Sequence, residues 1–430
     1  MTGNVPVRAE VLAAEGTEWT TMPQPTAPTS GPDTDFRLRS IAVSAYGPTV
    51  VAAVGAGAML PVVALSALAL GASPSVAALT AGLTLVAELF FAVPAGAMVH
   101  RIGERRALLW ASGVDAVASL AALLAPSVVV LMVAVFAMGF TSSMFLVARQ
   151  AYLIDAVPFA LRARALSTLG GVNRIGLFVG PFVGAPLIHA FGPQAGFGVA
   201  AAAGICAAVL VWRAPDLTAA HEEVQRAQAS SSTARVIWDH RRTYLTLGLG
   251  IMVIGAARSS RLVLVPLWAA HVGLSASATA VIFGVTGGVE MLLFYPAGSV
   301  MDRFGRVWVA VPCVVLLGVG LLLLPLTTTA WAVLAASSLA AVGNGLGSGI
   351  VMTLGADNAP PVGRSQFLGG WRFVSVVGGS GAPLLISAVT AWSSLAVACV
   401  GLGALALVGT GWLGYWVPRF DPLRRREVTG

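Results

Sequence analysis

Apolar runs of about 20 residues alternate with short polar segments through most of the chain. A run of this length crosses the hydrocarbon core of a bilayer as an α-helix. Twelve runs meet the criterion, so the pattern predicts an all-α membrane protein with twelve transmembrane helices. We number them spans 1 to 12, and they lie near 41–65, 75–99, 107–125, 127–148, 165–189, 194–212, 243–268, 275–300, 307–326, 330–354, 366–389 and 393–416.

The long polar connection between spans 6 and 7 divides the pattern into two sets of six spans. The segment before span 1 is rich in Pro, Thr and Gly, which favours disorder. We therefore predict a disordered tail, two six-helix bundles joined by a linker, and a C-terminal tail. Their boundaries are 1–40, 41–212, 213–242, 243–416 and 417–430.

The composition argues against a water-soluble enzyme. Only 10% of the residues are charged and 57% are hydrophobic, whereas about 25% are charged in an average soluble domain. The chain has no Lys, so it cannot contain a Walker-type nucleotide loop. The three Cys lie singly within apolar runs, without metal-ligand spacing. We expect no enzymatic activity, metal, cofactor or nucleic-acid partner.

The Arg residues have a one-sided distribution along the predicted topology. Arg174, Arg258, Arg261 and Arg372 lie within spans, and all the others lie in the tails or in loops on the side of the termini. Loops rich in Arg stay on the cytoplasmic side. We therefore expect a multi-pass protein of the cell membrane with both termini in the cytoplasm.

The two halves repeat each other at an offset of 202 residues. The repeated positions include acidic residues within spans 2 and 8 and polar residues in the loops that follow spans 2, 4, 8 and 10. They are Glu88/Glu290, Gly96/Gly298, His100/Asp302, Arg101/Arg303, Gly103/Gly305, Asp155/Asp357 and Arg162/Arg364. Parallel repeats of this kind are typical of alternating-access transporters.

The loop after span 8 reads Gly298-Ser-Val-Met-Asp302-Arg303-Phe-Gly305-Arg306, which resembles the signature of the major facilitator superfamily. His100 replaces the signature Asp in the first half. Span 5 carries a second motif, similar to the antiporter signature of that superfamily's drug exporters. Its residues are Gly176, Gly180, Pro181 and Gly184.

The resemblance implies a monomeric secondary transporter that exports small amphipathic molecules in exchange for protons. It also implies that the loop charges form a gate on the cytoplasmic side, with Asp302 accepting from an Arg across the gap between the halves. One departure concerns span 4, where the related antiporters carry an Arg. Its apolar stretch contains none, and Arg149 follows at its inner end.

The charges inside the predicted spans are Glu88, Asp115, Arg174, Arg258, Arg261, Glu290 and Arg372. Each needs a partner or a watery cavity, because an unpaired charge at the bilayer centre costs at least about 2.5–3.5 kcal/mol. In the resembled fold span 2 neighbours span 11 and span 5 neighbours span 8. We therefore predict the pairs Glu88–Arg372 and Glu290–Arg174 across the halves, with protonation of either Glu coupled to transport. The alternative is pairing within each half.

Arg258 and Arg261 are three residues apart and share a helix face. They either bind an anionic substrate in the central cavity or extend to the outer headgroups. The resemblance makes spans 1, 4, 7 and 10 line that cavity. Three further cavity candidates lie on these spans, namely Tyr46, Met138 and Asn344. Trp371 of span 11 is another candidate.

Two other functions remain open. An uptake symporter for a sugar or organic acid would share the fold, and the span 5 motif argues against it. A membrane sensor that has lost transport would explain the altered loop signature at His100 and the missing Arg in span 4.

Overall fold

A computed structural model describes residues 42–156, 159–213, 233–360 and 364–421, and nearly all of them are helical. The first half contains six spans, the first of which consists of two helices. Spans 1 to 6 are Ala42–Met59 with Val62–Ala69, Pro74–Ile102, Glu104–Leu123, Val128–Ala156, Phe159–Phe191 and Ala195–Arg213. The two helices of span 1 meet at an angle of 43°. Pro61 stands at this break, where it cannot donate the backbone hydrogen bond that would continue the helix.

The second half contains a short helix, Thr233–Asp239, followed by six more spans. Span 7 opens with a π-helical turn at Tyr244–Gly248, and span 10 has a 3₁₀ turn at Gly347–Gly349. Spans 7 to 12 are Arg241–His271, Ala276–Phe304, Val307–Leu323, Ala330–Asn358, Arg364–Trp392 and Leu395–Phe420. The predicted all-α fold with twelve spans is confirmed.

Helix ends at equivalent places in the two halves use the same residues. Ser73 and Ser275, 202 residues apart, cap spans 2 and 8 by accepting from backbone N–H groups at 3.4 and 3.2 Å. Gly103 and Gly305 end the same two spans with φ of 82° and 99°, which residues with a Cβ rarely adopt. The sequence repeat is therefore a repeat of local structure.

Cross-half packing brings span 2 against span 11 and span 5 against span 8. Ser380 donates to the carbonyl of Leu85 at 2.9 Å, and a Cβ on Gly284 would lie 2.6 Å from the Phe182 ring. Both neighbour relations expected from the resemblance are present in the structure.

The two halves share a hydrophobic core at one face of the molecule and have separate cores at the other. The shared core includes Val63, Met138, Leu264 and Phe283. The opposite face carries the ends of the described chain, Ala42 and Asp421, and we call it the terminal face. Toward it, one core belongs to spans 2, 3, 4 and 6 and another to the second half. Among the residues that the structure describes, the hydrophobic core common to both halves thus lies at one face.

Candidate functional site

A cavity of about 360 Å³ lies in the first half, and span 7 contributes part of its wall. Most of the lining is apolar and comes from spans 1 to 6. The polar and charged lining residues are Thr84, Glu88, Ser112, Asp115, Thr141, Ser142, Arg149, Asn173 and Ser259. An apolar pocket with a few convergent polar groups is the usual form of a small-molecule site.

Two carboxylates of the cavity are bound by neighbouring hydroxyls of span 4. Ser142 donates to Glu88 of span 2 at 2.9 Å, and Thr141 donates to Asp115 of span 3, also at 2.9 Å. Among the residues that the structure describes, neither carboxylate has an ion-pair partner. Arg372 of span 11 acts on Glu88 electrostatically from beyond ion-pair distance, so the predicted Glu88–Arg372 salt bridge is not formed in this conformation.

Arg149 also lines the cavity, although the sequence pattern assigned it to the inner end of span 4. That helix continues to Ala156, so Arg149 lies two turns before its end. Its guanidinium donates to the Asn173 side chain of span 5 at 3.3 Å and lies 5.8 Å from the Phe145 ring centre. Arg149 follows the apolar stretch, as the sequence indicates, but it still lines the cavity because the helix extends beyond that stretch.

In the second half, the carboxylate of Glu290 is fully engaged. Arg261 of span 7 forms an ion pair with one oxygen, and Asn344 of span 10 donates to the other at 2.6 Å. The side chains of Arg261 and Glu290 are 7% and 17% exposed. The ion pair of Glu290 is therefore internal to its half, which is the alternative prediction. Arg174 acts on Glu290 electrostatically from beyond ion-pair distance, so the predicted Glu290–Arg174 salt bridge is not formed in this conformation.

Two further intramembrane Arg residues, Arg174 and Arg258, make polar contacts with span 10. Arg174 donates to the hydroxyl of Ser348 at 3.0 Å, across the interface between the halves. Arg258 donates to the carbonyl of Gly347, in the 3₁₀ turn. Both Arg258 and Arg261 thus bind inside the protein, which contradicts the interpretation that they extend to the outer headgroups.

The two glutamates occupy equivalent sites. Glu88 and Ser142 correspond to Glu290 and Asn344 at the same offset of 202 residues, and each pair is hydrogen-bonded between equivalent spans. The halves differ in the third member, because the first half has no counterpart of Arg261 within ion-pair distance of Glu88 among the described residues. Sequence reasoning missed Ser142 as a partner, although this shared offset was available to find it.

The span 5 motif packs directly on span 1. A Cβ on Gly176 would lie 2.7 Å from the carbonyl oxygen of Val50, and one on Gly180 would lie 2.3 Å from that of Val54. Gly184 is slightly less crowded, and Pro181 lies inside the helix. The motif therefore allows close contact between span 5 and a helix that lines the cavity.

The loop after span 8 is held within the second half. The guanidinium of Arg306 donates to Asp357 at 2.9 and 3.5 Å, and its backbone N–H donates to Asp421 at 2.8 Å. Arg303 lies over the ring of Phe304. The two carboxylates that accept from Arg306 in the described part of the chain, Asp357 and Asp421, both belong to its own half.

The other gate positions give little support to a cross-half latch in this conformation. Arg101 is exposed, and a Cβ on Gly96 or Gly298 would meet nothing within 4 Å. The prediction also included five side chains that lie outside the described residues: His100, Asp155, Arg162, Asp302 and Arg364.

Among the cavity candidates, Met138 lines the cavity. Tyr46 is buried and hydrogen-bonds with Thr168. Trp371 is buried, donates to the carbonyl of Val351 at 2.7 Å and stacks on Phe367. The structure therefore places Trp371 in the packing of the second half and not in the wall of this cavity.

Solved structures with a similar fold include three transporters. At 11% identity, a POT-family transporter crystallised with a thioalcohol-conjugated peptide has a TM-score of 0.73, covering 89% of this chain and 96% of that chain. The nucleoside transporter NupG has a TM-score of 0.73 at 11% identity, covering 87% and 98%. A D-xylose–proton symporter has a TM-score of 0.66 at 14% identity, covering 89% and 98%.

A comparison with curated proteins finds no match. The family model of the Major Facilitator Superfamily matches residues 49–383 and again 247–430, which together include both halves. With its twelve spans and its repeated halves, the chain belongs to the Major Facilitator Superfamily and is a multi-pass membrane transporter.

Proposed function

We propose that this protein exports small amphipathic molecules across the cell membrane in exchange for protons, as a monomer with both termini in the cytoplasm. The observation that carries the proposal is the difference between the two equivalent glutamates. Glu290 is neutralised by Arg261, whereas Glu88 faces a mostly apolar cavity and, within the described part of the chain, has one hydroxyl donor in contact. Glu88 is thus the member of the pair that is available to a proton or a substrate.

The packing of the halves supports alternating access. They share a core at the face away from the termini and have separate cores at the terminal face. With the termini in the cytoplasm, this arrangement is an inward-facing conformation. Outward opening would separate the shared core and bring the two terminal-face cores together, which is the rocking motion of transporters built from repeats.

The charges around Glu88 give protonation a mechanical consequence. Asp115 of span 3 and Arg149 of span 4 line the same cavity, and Arg372 approaches from span 11. An ionised Glu88 attracts Arg372 and so favours closure of span 2 on span 11. A protonated Glu88 loses this attraction, so binding of a proton changes the balance between the two conformations.

The export direction is supported by the span 5 motif that resembles the antiporter signature. Its glycines bring span 5 within backbone contact of span 1, at Val50 and Val54. A tight seam there hinders leakage of protons past the cavity wall. Uptake symport is the competing function, and the same fold serves it in the D-xylose–proton symporter.

Transport driven by an imposed pH gradient distinguishes these functions. Proteoliposomes with an acidic lumen should accumulate a substrate of a proton antiporter, whereas a symporter would accumulate it when the lumen is alkaline. The compounds should include ethidium, whose permanent charge avoids passive trapping, and protein-free liposomes are the control. Accumulation only with an alkaline lumen would establish symport, and no accumulation with either gradient would refute proton-coupled transport.

A further inference from the structure

In the second half, the guanidinium of Arg261 occupies the position that is equivalent to part of the cavity in the first half. Arg261 binds Glu290 in the second half, and Asn344 completes the site. The first half repeats this arrangement with Glu88 and Ser142. The two sites therefore differ in one charged group. Span 7 contributes the guanidinium of Arg261, and the described part of span 1 has no equivalent cation.

The span 1 residues equivalent to Arg261 are apolar in either possible register. Two equivalent close contacts align the first part of span 1 with the first part of span 7. A Cβ on Gly57 would meet the backbone of Leu177, and a Cβ on Gly255 would meet that of Ser375, 198 residues later in each case. At this offset of 198, the residue of span 1 that is equivalent to Arg261 is Val63. The loops after spans 1 and 7 are related by an offset of 202, as Gly71 and Gly273 show. At that offset the residue equivalent to Arg261 is Met59. Both Val63 and Met59 line the cavity.

We propose that the cavity binds the cationic group of an amphipathic substrate, a protonated amine or a guanidinium, against the carboxylate of Glu88. The substrate cation would occupy the position that the guanidinium of Arg261 occupies in the second half. This inference rests on the proposed transport function and specifies its substrate class. The apolar lining of spans 1 to 6 would receive the body of the substrate.

The other charges of the cavity orient such a ligand. Asp115, held by Thr141 next to Ser142, places a second carboxylate at the same side of span 4 as Glu88. Arg149 lies about two helical turns further along span 4, toward the terminal face. Arg372 of span 11 acts electrostatically on both Arg149 and Glu88. A cation is thus attracted to the carboxylate end of the cavity and repelled from its Arg end.

If the substrate cation and the proton bind the same carboxylate, Glu88, the protein can exchange one for the other without a second binding site. A proton on Glu88 removes the negative charge that binds the cation, and a bound cation disfavours protonation. Either ligand is therefore released when the other binds. The charges balance, because one monovalent cation replaces one proton at the same carboxylate.

Three compounds with the same apolar body test the proposal on the purified full-length protein. They are 4-phenylbutylamine, 4-phenylbutan-1-ol and 5-phenylpentanoate, which are cationic, neutral and anionic at pH 7. Calorimetric titration should show that the amine binds at least about tenfold more tightly than the alcohol, as expected for a charge-assisted hydrogen bond. Equal or tighter binding of the alcohol or of the acid would overturn the proposal.

Glu88→Gln should reduce amine affinity at least about tenfold and leave alcohol affinity unchanged. Asp239→Asn is the matched control, because it removes one exposed carboxylate at the end of the short helix Thr233–Asp239, outside the cavity, and it should keep the amine preference. If Glu88→Gln retains the preference, or loses amine and alcohol alike, Glu88 is not the cation partner. If this variant does not fold, the comparison of the three compounds on the wild-type protein still decides.

Failure of this inference is distinguishable from failure of the transport function. Gradient-driven accumulation of neutral or anionic compounds, without preferential amine binding, would refute the cation site and leave proton-coupled transport intact. The absence of accumulation with either pH gradient would refute the transport function itself.

Discussion

The ion pair of Arg261 and Glu290 provides a quantitative test of the asymmetry between the halves. Its side chains are 7% and 17% exposed, and Asn344 donates to the second carboxylate oxygen at 2.6 Å. Removing one member of a buried pair typically costs about 3–5 kcal/mol, because the other charge remains buried without compensation. We expect Glu290→Gln to destabilise the protein by an amount within this range.

Arg261→Met should cost less than Glu290→Gln. After loss of Arg261, the carboxylate of Glu290 keeps the hydrogen bond from Asn344 and can take up a proton. After loss of Glu290, the guanidinium cannot lose its proton, and its Nε already lacks a partner among the described residues. We expect Arg261→Met to cost about 1–3 kcal/mol, the penalty of an imperfectly satisfied buried group.

The double variant Arg261→Met/Glu290→Gln should be less destabilised than the sum of the two single variants by at least about 1 kcal/mol, since it leaves no unpaired charge. The assay is the free energy of unfolding in mixed detergent micelles, measured by tryptophan fluorescence. Strictly additive effects, or a Glu290→Gln variant as stable as the wild-type protein, would refute the static role that we assign to this pair.

The remaining predictions concern packing and the terminal face. Gly180→Ala should lower the free energy of unfolding by about 1–3 kcal/mol through overpacking, because its Cβ would lie 2.3 Å from the Val54 oxygen. Gly170→Ala in the same helix has open space and should be nearly neutral. Equal melting temperatures of the two variants would contradict this. Trp371→Phe should lower stability by about 0.5–1.5 kcal/mol, because it loses the hydrogen bond to Val351. The affinity for a transported substrate should not change, and a changed affinity would place Trp371 in the substrate site. Arg306→Ala should detach the span 8 loop from Asp357 and increase proteolysis at the terminal face, and an unchanged digestion pattern would contradict that role.

The sequence predicts the fold well because membrane helices have a strong local signal. A run of apolar residues of bilayer length is visible without knowledge of tertiary structure. The 202-residue repeat then identifies Glu88 and Glu290 as equivalent positions, and the structure shows that their hydrogen-bond partners, Ser142 and Asn344, obey the same offset.

The pairing of the charges is not predictable from the same signals. Depth along a helix places Glu290 at the level of Arg174, but the rotation of span 7 brings Arg261 to the carboxylate first. Apolar composition also ends span 4 too early, because a helix can continue beyond the bilayer core and turn Arg149 toward a cavity. Helix rotation and helix extension are tertiary properties that hydropathy does not encode.

The central claim is that Glu88 couples proton movement to substrate movement, and gradient-driven transport by Glu88→Gln tests it most directly. Wild-type proteoliposomes with an acidic lumen should accumulate the cation ethidium above its external concentration, and the Asp239→Asn control should do the same. The Glu88→Gln protein should still equilibrate that substrate across the membrane but should not concentrate it. Undiminished accumulation by Glu88→Gln would contradict the account.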